Sequence, residues 1–187
     1  MAKVIRILAI LSTLGLAACG VSPDGPPAPD PAEVARLAQT VSGFAPDVDP
    51  EEARRLAEIS YSYARQLAID YNVTDPPLIH NMKVNMGLRE RGLCYQWADD
   101  IEARLRQENF RTLEFHRAIA NADNLLIDHS VVIVSRKGDT MFQGVVLDGW
   151  RDSGKLFWSP VLEDKRYTWV PREDVFEERR RQEAAWR

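Results

Sequence analysis

Apolar and polar positions divide this chain into an apolar start, a stretch with almost nothing to bury, and a long patterned remainder. Lys3 and Arg6 precede an apolar block from Ile7 to Leu16, too short to cross a bilayer comfortably and followed by small residues, which reads as an export signal. Val21 to Pro31, VSPDGPPAPDP, predicts an extended, semi-rigid tether. A short amphipathic piece around Ala32 to Gln39 and a loop from Ser42-Gly43 to Asp49 lead to the first firm helix. Its start is marked by Asp49 as cap, Pro50 in the first turn, and Glu51 and Glu52 at the positive end of the dipole. Leu56, Ile59, Tyr63 and Leu67 give it an apolar stripe, and Tyr71-Asn72 ends it. Asp75-Pro76-Pro77 repeats the start signal, Leu78, Ile79, Met82 and Met86 mark a second helical stripe, and Gly92 is the expected stop. A third helix is predicted from Cys94 to Gln107, with Ala98, Ile101 and Leu105 inward.

The period then changes from helical to alternating. Leu113, Phe115 and Ile119 alternate with polar neighbours, Asn121 to Asn124 is a turn, and Ser130 to Ser135 is a continuous apolar strand. A hairpin turn at Arg136 to Asp139 predicts a returning strand from Met141 to Leu147. Lys155 to Trp158 and Arg166 to Val170 are candidates for further short strands, and Pro171 opens a charged C-terminal helix. Helices followed by an antiparallel sheet define the α+β class. The expected division is 1–18 as signal, 19–48 as anchor and tether, and 49–187 as one folded domain.

Composition adds little constraint. The 45% hydrophobic and 28% charged fractions suit a globular core. A net charge of -4 without a basic run excludes nothing but argues against nucleic acid. The cysteines say more. Leu16-Ala17-Ala18-Cys19 resembles the lipobox of bacterial lipoproteins. That resemblance implies cleavage before Cys19, several acyl chains on the new terminus, and a membrane anchor. Gly20, where an aspartate would signal inner-membrane retention, implies the periplasmic face of the outer membrane. Of two cysteines this leaves Cys94 alone, either a small buried hydrophobe or a working thiol.

Cys94 is expected to open a helix, where unpaired amides and the dipole favour the thiolate. His129 opens the apolar strand and Asp148 closes the next one, 19 positions on. A turn at Lys137-Gly138 sets His129 opposite Val146 with Asp148 diagonal. A turn at Gly138-Asp139 sets it opposite Asp148 itself. Either way the two share a face, and the carboxylate can orient an imidazole serving the thiol. The competing readings are a core cysteine and an aspartate that merely ends a strand. His80 and His116 read as packed or exposed rings with satisfied hydrogen bonds. No pair of histidines has ligand spacing, so neither metal nor cofactor is expected.

The order of these residues resembles the transglutaminase-like branch of the papain-like superfamily. GLCYQWADDIEARL is similar to that branch's Gly-x-Cys and following helix, DHSVVIV stands in the place of its His-Ala-Trp strand, and VVLDGW in that of its Leu-Asp-Pro strand end. Ser130-Val131 and Gly149 depart from the aromatic and the proline. The resemblance implies a papain-like core in which Cys94 is nucleophile, His129 base and Asp148 orienting acid. The chemistry would be cleavage or transfer at amide bonds of peptides, proteins or peptidoglycan. The Cys94 amide with Asn81, Asn85 or Gln96 are candidate oxyanion donors, and Trp97 and Trp150 candidate groove walls. The alternative is a non-catalytic envelope lipoprotein that uses the same scaffold to bind a protein or the cell wall.

Overall fold

The computed structural model describes residues 21–124 and 128–186. The expected export signal and Cys19 lie outside the described residues. Among these residues are five α-helices and five strands: α1 (Pro31–Ser42), α2 (Pro50–Asp70), α3 (Pro77–Asn85), α4 (Cys94–Arg106), β1 (Leu113–Ala120), β2 (His129–Arg136), β3 (Val145–Asp148), β4 (Phe157–Pro160), β5 (Val170–Pro171) and α5 (Arg172–Ala185). The strands form one antiparallel sheet in the order β4-β3-β2-β1-β5. The architecture is α+β.

The helix starts follow local chemistry. Asp30 and Asp49 accept hydrogen bonds from the amides of Ala32 (2.9 Å) and Glu51 (2.8 Å), and a proline stands next to each cap. α2 turns Ala53, Leu56, Ala57, Tyr61, Ala64, Leu67 and Ala68 inward. The expected stripe is therefore rotated: Leu56 and Leu67 are buried, while Ile59 and Tyr63 only flank the core. Alanines on the inner face let α1 pack closely, and Leu37 and Val41 of α1 are fully buried against it.

This packing corrects the expected tether. From Val21 onward the proline-rich segment lies on the domain. The Val21 amide donates to the Thr74 carbonyl (3.2 Å), and Arg65 donates to the carbonyls of Pro26 (2.9 Å) and Asp24 (2.8 Å). Apart from a turn closed by the Gly25 amide on the Ser22 carbonyl (2.9 Å), prolines leave this segment few amide donors, so its carbonyls are free to accept from a long side chain.

The sheet is covered on both faces. Val132 and Val134 of β2, with Val145, Leu147 and Leu113, join α2 and α4 in the main core. Val131, Ile133, Val146, Ala118 and Ala120 pack on the other face with Met141, Val161 and Trp169. This two-sided burial is why β2 reads as unbroken apolar sequence. The return to β3 is longer than expected. A 3-10 turn occupies Met141–Gln143 and β3 begins only at Val145, which pairs with Val134. Gly144 is required at that entry, because a Cβ there would sit 2.3 Å from the Val134 carbonyl oxygen. Two more expectations shift. α3 stops at Asn85, with Gly87 at φ +73, well before Gly92. The strand expected at Arg166 to Val170 is reduced to Val170–Pro171.

Candidate functional site

α4 begins at Cys94, and the loop that delivers it is fixed from three sides. Gln96 Oε1 accepts the amides of Gly92 (2.8 Å) and Leu93 (3.0 Å), and Trp97 Nε1 donates to the Gly92 carbonyl (3.0 Å). Gly92 itself, at φ +127, lies flat against buried His80, whose Nε2 donates to the Arg91 carbonyl (2.9 Å). The first amides of α4, Cys94's among them, have no acceptor within the helix and give its start a positive character. The thiol donates to the Asp128 carbonyl at 3.6 Å, next to His129. Asp128 is held in turn by Arg179 of α5, which reaches its carboxylate (3.1 Å) and the Ala122 carbonyl (3.1 Å).

His129 and Asp148 meet at the ends of their strands. His129 Nε2 lies 2.7 Å from Asp148 Oδ2. Pairing of Val132 with Leu147 makes Asp148 a diagonal neighbour of His129, in neither of the two registers expected but on the same face. The imidazole is 2% exposed and bounded by Trp150, Tyr167 and Trp169, with ring centroids 4.7, 4.9 and 5.5 Å away. Its Nδ1 is buried without a hydrogen-bond partner. Cys94 lies near enough to favour the protonated ring without being aligned for a bond to that nitrogen.

Burial works against charge on His129, but the Asp148 carboxylate, and after it Cys94, outweigh that and push its pKa up to about 9. Asp148 is likewise buried, which would raise its pKa. His129 and Arg151 reverse this and hold it below the usual carboxylate value. Asp148 Oδ1 also accepts the amides of Trp150 and Arg151, both at 3.0 Å, and Oδ2 accepts Arg151 Nε at 3.0 Å. Arg151 then makes a bidentate pair with Asp164 (3.2 and 2.7 Å), which also accepts Trp169 Nε1 (3.1 Å). His129, Asp148, Arg151 and Asp164 thus form one buried chain of alternating charge.

A pH dependence follows from the raised His129 value. The unfolded chain returns His129 to about 6.5, so the pair's contribution is complete below that pH and lost as pH rises through about 9. The shift corresponds to at most roughly 3 kcal/mol. Urea unfolding between about pH 6 and 9.5 is expected to show this decline in the wild type and not in His129→Gln. Parallel curves for the two proteins would contradict it.

The other candidates divide plainly. Gln96 caps the loop with its oxygen, and Trp97 is a core residue 2% exposed, tied to Gly92 and packed edge-on against Tyr71 at 5.0 Å; it is not a groove wall. Trp150 covers the imidazole face and donates to Asn81 Oδ1 (2.9 Å), so Asn81 braces the site. Asn85 is exposed at the end of α3. His116 bonds to Ser135 Oγ at 2.8 Å, apart from His129 and Asp148. Gly149, where the resembling family has proline, is forced by contact: a Cβ would lie 2.8 Å from the Trp97 ring. Arg151, Asp164, Tyr167, Trp169 and Arg179 were not foreseen. The one local signal was Arg151 three positions after Asp148.

Comparison with protein families, with curated proteins and with solved structures finds no match for this chain.

Proposed function

We propose that this chain is a lipoprotein of the bacterial cell envelope, anchored through Cys19 on the periplasmic face of the outer membrane, whose domain carries a thiol site for amide chemistry on a papain-like, transglutaminase-related core. The observation that carries this reading is the arrangement at His129. One ring nitrogen is 2.7 Å from Asp148, and the other is unbonded beside a thiol that opens a helix. The lipobox-like Leu16-Ala17-Ala18-Cys19 carries the anchor.

In this mechanism the Cys94 thiolate attacks the amide carbonyl carbon as a C–S bond forms. The carbonyl oxygen takes up negative charge toward the Cys94 amide. The His129 imidazolium gives its Nδ1 proton to the leaving nitrogen as the C–N bond breaks. Water or an amine then attacks the thioester and loses a proton to His129, and the thiolate departs. Asp148 keeps the ring oriented and its cationic form stable throughout. Peptide stems of the cell wall and periplasmic proteins are the substrates within reach of such an anchor.

The test is iodoacetamide labelling of Cys94 at neutral pH. His129→Ala is expected to slow labelling at least about ten-fold, because the imidazole that serves the thiol as its base is gone. Equal rates would favour the second reading, a non-catalytic binding lipoprotein. The observation on its side is closure: Cys94 is only 9% and His129 2% exposed.

A further inference from the structure

α3 is built the wrong way round for a helix of a water-soluble domain. Its helical period is the expected one, but Leu78, Ile79, Met82 and Met86 face outward at 62, 45, 57 and 68% exposure, with Leu88 following at 58%. The opposite side is used internally, through buried His80 against Gly92 and Asn81 against Trp150. Lys83 is paired with Asp75 (2.6 Å) and Arg89 donates to the carbonyls of Asn72 and Leu88, so what the outward side offers is apolar. An exposed apolar face of this kind marks a contact surface.

The chain's own geometry points to what covers it. Val21 is bonded to Thr74, three positions before α3 begins. Only Gly20 separates Val21 from Cys19, a span of at most about 7 Å even when fully extended. Acyl chains on Cys19 would therefore enter the bilayer close to the start of α3. We propose that the outward face of α3 rests on the phospholipid surface beside this anchor, with Leu78, Ile79, Met82, Met86 and Leu88 in the headgroup–acyl boundary. The proposal depends on the lipid-anchor reading above. Interfacial helices lie in this way, with their apolar side chains inserted. Among the described residues no helix is long and apolar enough to cross a membrane, so the contact is lateral. Because α3 also braces Trp150 and Gly92, it sets the thiol site close to the membrane.

Met82 and Met86 are native reporters, and Met141, 4% exposed, is an internal reference. The full mature protein is purified from membranes and reconstituted in vesicles of phosphatidylethanolamine with about one quarter phosphatidylglycerol. Its intact mass gives the state of Cys19. Peroxide oxidation of each methionine is then followed by mass spectrometry and compared with a Cys19→Ser chain exported behind an ordinary cleavable signal and kept free of lipid. Oxidation of Met82 and Met86 is expected to be at least about five-fold slower on vesicles, with Met141 unchanged. Equal rates with acylated Cys19 would overturn the surface contact and leave the anchor standing. An unmodified Cys19 would overturn the anchor and this proposal together. Protection in the lipid-free chain that grows with its concentration would assign the face to a second copy and overturn the membrane contact.

Discussion

Asp148→Ala is expected to lower the free energy of unfolding by about 3–5 kcal/mol, a large fraction of what a domain of this size possesses. The reason lies in the order of charges around that carboxylate. Asp148 accepts from His129, from Arg151 and from two backbone amides, and all of these are buried. Removing it leaves the amides unpaired and Arg151 with Asp164 as its remaining buried carboxylate partner. His129 can escape by losing its proton, but Arg151 cannot. Asp148→Asn keeps the shape and an oxygen for the two amides while losing the charge, so its effect should be smaller. It should also abolish the alkaline decline in stability, because the carboxylate that raises the His129 value is gone. Urea denaturation at neutral pH checks both variants. A loss below about 1 kcal/mol for Asp148→Ala would mean that the charged chain is not a structural unit.

The second large effect is expected at Gly92. An alanine there would need φ +127, which side chains rarely adopt, and its Cβ would sit 2.3 Å from His80 Nε2. The strain of the backbone and displacement of a fully enclosed ring together suggest a loss of about 2–4 kcal/mol. Because Gly92 also holds Trp97 and Gln96, the substitution is expected to shift the start of α4 and slow Cys94 alkylation about ten-fold. Thermal unfolding and labelling rates measure the two consequences separately. Adding His80→Ala should return the part due to the collision and leave the part due to φ. Gly92→Ala with wild-type stability and labelling would show that the loop does not position the thiol.

How far such a site can be read from sequence depends on the distance over which each signal acts. Asp30 and Asp49 reveal their helices because a cap acts over three residues. That His129 and Asp148 share a face was legible because strand alternation has period two. Any error in turn length that is a whole number of pairs leaves the face unchanged. The register itself was not legible, since the path from Gly138 to Gly144 contains a 3-10 turn that no dipeptide announces. The outward direction of α3 was illegible for a deeper reason. Periodicity reports that a helix has an apolar side, but not whether protein lies against it. The course of residues 21–30 and the grip of Arg151 on Asp164 depend on partners distant in sequence or hidden by burial, which pattern alone does not encode.

Arg179 reaches back 51 positions to hold Asp128, the residue whose carbonyl faces the Cys94 thiol. A chain synthesised N-terminus first delivers Cys94 long before that arginine. Until then the thiol is without the last clamp of its surroundings, and the final geometry waits for α5 to arrive. Ripening of the site is thus coupled to completion of the chain.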